Sequence, residues 1–430
     1  MPRDGGSAAV AAAVFFLTIS FPCDAHRRVA NALVSTRSGA MRLHGLGATM
    51  AQPVWMSAVV FTYPRSLAFP AFRRRLALRI MRTFFGAATH AAADPLPIKG
   101  IHRILVCHVS HTLGNSLLLT PLLQELERVY PGAEIDIVSR SQVAGELYGR
   151  YFNVCRVFQL PAYGFSHPLT LLRHWRALRR GGYDLAIDTD PQSQTGRLLA
   201  LQARARYTLG FDGPRKSGSM SHAVPLAAAP RRKGMQGVFL LRHALGVAGD
   251  VHLPYPLPDL ALSDEERRLG SAALARLRPA WADPSRPVIG VFANATGRKR
   301  LEGPWWHAFL DQLGELEKHC DLVEILPAFG RSLLDHRYPT LFLSDLRKLG
   351  SALSGLDACV IGDCGVMHLT FATGTPVVAL FVETDPDEWG VYGPDDHVLR
   401  VERDAPATAA REAARVLAAR VLPGVATVMA

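Results

Sequence analysis

Three short stretches of the chain carry the residue types that can do chemistry: Ser110-His111-Thr112-Leu113-Gly114-Asn115, Thr296-Gly297-Arg298-Lys299-Arg300, and Asp363-Cys364-Gly365 followed by His368. The third reads as the end of a buried strand, a tight polar turn, a short helix, a stop at Gly374 and a second buried strand ending at Phe381. A helix that starts at such a turn aims unsatisfied N–H groups at it, so amides and helix dipole together favour an anion such as phosphate. His368 is expected in the first helical turn, close enough to add a donor or a cation. Gly365 suits a close backbone approach to that phosphate, and Asp363 either holds the ligand or caps the helix. Arg298, Lys299 and Arg300 are rival cations for charge developing on a ligand, against the plainer alternative of a solvated basic loop. Asn115 either orients a hydroxyl through its amide or caps a helix that starts there.

To meet, these stretches need strands that deliver them to common ends. From Ile101 onward a strand (Arg103–Val109), a loop, a helix (Ser116–Val129) and a second strand (Glu134–Val138) open a doubly wound pattern. The pattern continues to about Leu245 and gives way to a connector spaced by Pro254, Pro256 and Pro258. It restarts at Ser263, whose Asp264 and Glu265 mark a helix start, and runs through the strands Pro287–Phe292 and Leu322–Leu326 to an alanine-rich terminal helix. The expectation is an α/β chain of two doubly wound, Rossmann-like domains facing a cleft, with ligands at the carboxyl ends of the strands. Its divisions are an extension over 1–98, domains over 99–258 and 259–405, and a helix and tail over 406–430.

The bulk numbers agree with a globular protein of that size: 430 residues, 49% hydrophobic, 20% charged and 8% aromatic. The formal net charge of +11 suits a polyanionic partner. Much of the excess is local, in Arg73-Arg74-Arg75, Arg79, Arg82, Arg179-Arg180 and Arg231-Arg232-Lys233. Neither zinc-finger spacing nor an aromatic-rich RNA-binding pattern is present, so nucleic acid is not expected. Six scattered cysteines without a C-x-x-C pair fit a reducing cytoplasm better than a disulfide framework. The apolar run Ala8–Phe21 is too short to span a bilayer and only loosely signal-like. An upstream start joined to a shorter protein is the reading adopted, with residues 1–98 largely disordered. Within them, 69–85 reads as a basic amphipathic helix that could lie on an anionic membrane surface or pack on the main domain.

Set in order, the motifs resemble a known family. Ile104-Leu105-Val106 with Leu113-Gly114-Asn115-Ser116-Leu117 and Thr120-Pro121-Leu122 resembles the amino-terminal signature of the lipopolysaccharide heptosyltransferases, glycosyltransferase family nine. Gly362 to Leu369 with Gly374-Thr375-Pro376 and the following strand resembles the carboxy-terminal signature, and Arg298-Lys299-Arg300 before Trp305-Trp306 the basic loop between them. The resemblance implies a GT-B fold and inverting transfer of a sugar, typically heptose from ADP-heptose, to a lipopolysaccharide inner-core precursor at the cytoplasmic face of the inner membrane. It implies no metal and no cofactor beyond the nucleotide-sugar co-substrate; a monomer is expected. On this pattern Asp363, Cys364, Gly365, His368, Thr296 and Arg298 face the nucleotide-sugar, Lys299 meets the leaving diphosphate, and Ser110 and Gly114 shape the acceptor-side loop.

Two positions depart from the pattern. Asn115 stands where the family usually has the Asp thought to act as base, and an amide accepts no proton at neutral pH. Losing a general base typically costs about 10²–10⁴-fold in rate. Cys364 stands where Ser or Thr is usual, which keeps a backbone contact and loses a hydroxyl. His108 and His111 flank the first loop and are candidates to replace the base. The alternatives are a transferase of the same fold using another nucleotide-sugar, and a catalytically weak homologue that only binds one.

Overall fold

The computed structural model describes residues 94–161, 168–213, 216, 218–250, 252–277, 283, 285–314 and 318–421. The expected amphipathic helix over 69–85 and most of the extension lie outside them.

The first sheet is built from β1 (Arg103–His108), β2 (Glu134–Ser139), β3 (Val154–Gln159), β4 (Leu185–Asp188), β5 (Tyr207–Asp212) and β6 (His222–Pro225). The second takes β7 (Val288–Phe292), β8 (Asp321–Ile325), β9 (Thr340–Leu341), β10 (Ala358–Gly362), β11 (Val377–Phe381) and β12 (His397–Arg400). Every pairing is parallel. The orders are β3-β2-β1-β4-β5-β6 and β12-β11-β10-β7-β8-β9, so each half repeats the same doubly wound arrangement. The direction of winding reverses between β1 and β4 in one sheet and between β7 and β10 in the other. Ligands of such sheets bind at that reversal, beyond the carboxyl ends of the strands. This is the two-sheet, GT-B-like α/β architecture expected from the sequence.

The strands form where apolar runs can be covered on both faces. Ile104 to Cys107, β7, β10 and β11 are buried along their whole length, as parallel sheets flanked by helices require. In the N-terminal lobe the helices are α1 (Leu113–Leu117), α2 (Thr120–Val129), α3 (Ala144–Tyr148), α4 (Pro168–Arg179), α5 (Gln194–Gln202) and α6 (Lys233–Ala244). In the C-terminal lobe they are α7 (Asp264–Ala275), α8 (Gly303–Gln312), α9 (Leu346–Leu353), α10 (Gly365–Phe371), α11 (Pro386–Trp389) and α12 (Pro406–Val421).

The single helix expected over Ser116–Val129 is two. Pro121 has no amide with which to reach the Leu117 carbonyl, and the Thr120 hydroxyl takes that carbonyl instead at 2.7 Å. The first piece begins at Leu113, with Thr112 as its N-cap, so Gly114 and Asn115 are helical residues. Ser263 caps α7 in a reciprocal box with Glu266. The Asp345 carboxylate caps α9, accepting from the Lys348 amide.

The largest apolar cluster runs through both lobes, from Ile104, Leu122 and Leu240 to Phe292, Met367 and Leu369. Polar contacts tie the same seam. Tyr151 Oη donates to the Asp259 carbonyl at 2.7 Å, and Arg347 of α9 reaches Glu266, the Leu260 and Ala261 carbonyls and the Glu146 carbonyl of the opposite lobe. Arg231-Arg232-Lys233, expected to serve a polyanionic partner, faces the other lobe. Arg231 pairs with Asp385, Lys233 with Glu388 at 2.8 Å, and Arg232 donates to the Val391 carbonyl at 2.5 Å.

Candidate active site

The three motif stretches converge at the two switch points. Lys299 follows β7 in a single 3-10 turn, Gly297–Lys299, and Asp363 follows β10; these are the two strands at which the second sheet reverses. Lys299 Nζ lies 2.8 Å from Asp363 Oδ2, the carboxylate almost fully buried and the lysine about a third exposed. Thr384, beyond the end of β11, donates its hydroxyl to the same oxygen. Asp363 therefore does not cap the next helix; Cys364 occupies that place, with no side-chain capping bond.

Of the three cations in the basic loop, only Lys299 is directed at this turn. Arg298 pairs with Glu383 at 3.1 Å and Arg300 with Glu302 at 3.6 Å. Arg403 donates to the Arg298 and Arg300 carbonyls and so fixes the loop from behind. Thr296, the N-cap of the 3-10 turn, is exposed at its entrance.

His368 is 4% exposed, and its Nδ1 has no hydrogen-bond partner. Burial pushes its pKa down to about 4, with Asp363 opposing the shift and Lys299 adding to it. The ring is neutral at neutral pH, so it does not supply the cation expected of it. Burial likewise pushes the Cys364 thiol up to about 12, and it stays protonated.

The two motif helices meet face to face across the seam. A Cβ on Gly114 of α1 would lie 2.6 Å from His368 Cδ2, and one on Gly365 of α10 would lie 3.2 Å from Leu113 Cβ. What Gly365 admits closely in this state is Leu113 of the opposite lobe, where a phosphate was expected. Gly114 admits His368. The two glycines bring α1 and α10 into contact.

On the N-terminal side, Asn115 is half-buried in the third position of α1 and caps nothing. Ser110 accepts from the Thr112 amide at 3.4 Å, a local turn at the mouth of the loop. His111 is exposed in that loop. His108 ends β1, with Nδ1 3.0 Å from Thr189 Oγ1.

Beneath this surface is a charge cluster that sequence reasoning missed. Asp188, the last residue of β4, accepts from Arg197 Nε at 3.0 Å and from Lys216 Nζ at 2.6 Å, and all three side chains are fully buried. Arg197 also donates to the Phe211 and Gly218 carbonyls, and Lys216 to the Ser193 carbonyl at 2.5 Å. Lys216 lies in the glycine-rich loop between β5 and β6. Its burial had no local signal, because its partner lies 28 residues away on another element. Thr384 was missed for a similar reason: it stands past the strand end, where only the fold shows that it turns back to Asp363.

The chain resembles known proteins in the same terms. Residues 343–416 match the family model for glycosyltransferase family 9 (heptosyltransferase). Lipopolysaccharide heptosyltransferase 1 of Pseudomonas aeruginosa is 26% identical over 316 residues, 68% of this chain and 81% of that protein. Among solved structures, a family 9 glycosyltransferase from Veillonella parvula superposes with a TM-score of 0.58 at 18% identity, covering 71% of this chain and 88% of that one. The E. coli ADP-heptose lipopolysaccharide heptosyltransferase II gives 0.57 at 19%, over 75% and 99% of the two chains. E. coli heptosyltransferase WaaC with ADP gives 0.55 at 20%, over 72% and 98%. With motifs in register, a curated relative matched across four-fifths of its length and a shared fold, the chain resembles the heptosyltransferases of glycosyltransferase family 9.

Proposed function

We propose that the protein is an inverting, metal-independent glycosyltransferase that moves heptose from ADP-heptose to a lipopolysaccharide inner-core acceptor, working as a monomer at the cytoplasmic face of the inner membrane. The observation that carries this reading is the Lys299–Asp363 pair at the carboxyl ends of the two switch strands of the second sheet. Lys299 is held beside the turn by a carboxylate and remains partly exposed, so an incoming diphosphate can draw it away. There it meets charge that grows as the sugar–phosphate bond breaks, the situation in which a positioned cation contributes most. Asp363, Gly365 and the exposed Thr296 and Arg298 line the donor side, while Asn115, Ser110 and Gly114 form the acceptor side. A solved relative bound to ADP, and the same protein bound to ADP-2-deoxy-2-fluoro heptose, support an ADP-sugar as the donor.

Thermal shift with ADP, UDP and GDP tests the donor. Selective stabilisation by ADP is the expected result; selective stabilisation by UDP or GDP overturns the choice of sugar nucleotide. Transfer from ADP-heptose to an inner-core precursor should then proceed equally with and without EDTA, and loss of activity on chelation would remove metal independence. Asn115 favours a second reading, a homologue that binds the nucleotide-sugar and transfers it poorly. Tight ADP-heptose binding without product would select it.

Among the described residues no helix is long and apolar enough to cross a membrane.

A further inference from the structure

We propose that His108 is the base that removes the acceptor hydroxyl's proton, in the place of the carboxylate that Asn115 lacks. The inference rests on the transferase reading above and assigns the one role that reading leaves empty.

His108 ends β1, and its neighbour β4 carries Thr189 just past its own end; these are the two switch strands of the first sheet. Thr189 Oγ1 lies 3.2 Å from the Cys107 carbonyl and 3.0 Å from His108 Nδ1. With its one proton given to the carbonyl, that oxygen accepts from Nδ1, and Nε2 keeps its lone pair; this is the tautomer the proposal requires. Nε2 is shut from solvent and makes no hydrogen bond. A buried acceptor left unpaired costs about 1–3 kcal/mol, which a donating substrate hydroxyl would relieve. This is how a general base is prepared: one nitrogen oriented by a fixed partner, the other vacant.

The surrounding charges suit both protonation states. Burial lowers the pKa of His108, so the ring rests in its basic, neutral form, while Asp190 and the Asn115 backbone favour the protonated ring once it forms. Behind Thr189 stands the Asp188–Arg197–Lys216 cluster; His111 shares the loop that follows β1; the opposite lobe presents neutral His368 and the Lys299–Asp363 pair. The neighbour that best stabilises a proton on the ring is thus the Asp190 carboxylate.

In the step itself the acceptor O–H bond breaks and its oxygen bonds to the anomeric carbon from the face opposite the diphosphate. The bond from that carbon to the diphosphate oxygen breaks, and its electron pair leaves on ADP beside Lys299. The proton passes to His108 Nε2.

Nitrogen-15 NMR of the whole protein tests the tautomer without any substrate. Nδ1–H with a bare Nε2 at neutral pH is expected; the opposite tautomer overturns the proposal. Kinetics with ADP-heptose and an inner-core precursor form the second arm. His108→Gln should lower kcat by about 10²–10⁴-fold with the ADP dissociation constant unchanged, and should abolish the acid limb of the kcat–pH profile. Adding Asn115→Asp to His108→Gln should restore most of the loss by returning a carboxylate to the acceptor side. Thr189→Val, which frees the Nδ1 proton, should lower kcat and shift the tautomer should His108→Gln fail to fold. Wild-type kcat in His108→Gln, or no recovery in the double variant, overturns the base. Failure of the wild type to bind ADP would instead overturn the donor reading, and the tautomer measurement still decides His108.

Discussion

The two sheets repeat one strand order, yet they distribute charge at their switch points in opposite ways. In the C-terminal lobe the cation is at the surface: Lys299 is partly exposed, over a carboxylate partner that is almost fully buried. In the N-terminal lobe the charged groups lie one layer down, with Asp188, Arg197 and Lys216 wholly enclosed, and the layer above them is His108, Thr189 and half-buried Asn115. A surface cation with a replaceable partner suits a diphosphate. Neutral hydrogen-bonding groups over a fixed charged base suit a sugar hydroxyl, which has to be oriented and deprotonated without being repelled. On the proposed function one lobe keeps its charge for the ligand, and the other uses it to hold three segments of its own chain together.

The difference is broken most severely at Asp188. Asp188→Ala leaves Arg197 and Lys216 as buried cations without their carboxylate, and removing one partner of such a group typically costs about 3–5 kcal/mol. A fall in melting temperature on the order of 10 °C is expected from calorimetry. A shift of a degree or so would mean the cluster is not the brace its burial indicates.

Lys299→Met attacks the other switch point and should behave in the reverse sense. Losing a group that meets charge in the transition state typically costs about 10²–10³-fold in kcat. Stability should change less than in Asp188→Ala, since Thr384 still donates to Asp363. Steady-state kinetics alongside a melting curve separate the two outcomes, and an unchanged kcat would remove Lys299 from the reaction.

His368 offers a pH test of the seam between the lobes. Its folded pKa, near 4, lies below the ordinary value of 6.5. Between those values the unfolded chain binds a proton that the folded one does not, so stability rises with pH across this window. It is lost as pH falls from about 6.5 toward 4, by roughly 3 kcal/mol at about 1.4 kcal/mol per pH unit. Urea unfolding at several pH values should show this slope, and His368→Gln should flatten it. A slope that persists in His368→Gln belongs to other groups.

The contrast between the lobes also decides what could be read from residues alone. Apolar runs covered on both faces, such as Ile104 to Cys107 and Val377 to Phe381, announce themselves because no other element buries so much in so few residues. The strands that were not anticipated, β3, β6 and β9, all lie at sheet edges. β3 has only exposed and half-buried residues, β6 ends in Pro225, and β9 has two residues. The Asp363 turn and the Lys299 loop were legible because each is a local pattern of polar residues at a strand end. That Lys299 outcompetes Arg298 and Arg300 for Asp363 was not, since Glu383, Glu302 and Arg403 settle it from distant parts of the chain. The Asp188 cluster was invisible for the same reason. Lys216 in a glycine-rich loop looks like solvated charge until the fold supplies its partner.

The basic triplet at the start of α6 gives the smallest effect and the finest discrimination. Arg231 and Lys233 pair with Asp385 and Glu388 across the seam, Arg231 exposed and the other three partly so, where an ion pair open to solvent contributes about 0.2–1 kcal/mol and is screened by salt. Arg231→Glu together with Lys233→Glu should therefore lower the melting temperature only slightly, and the deficit should shrink as ionic strength rises. The acidic segment has a second attachment, because Thr384, next to Asp385, donates to Asp363. Loosening its outer end should weaken ADP binding by a few-fold while leaving the Asp188 brace untouched. Restoring the pairs in reverse, with Asp385→Arg and Glu388→Lys added to the charge-reversed α6, should recover both stability and affinity. If the double reversal recovers stability alone, the segment joins the lobes without reporting to the Lys299 site, and the two switch points work independently.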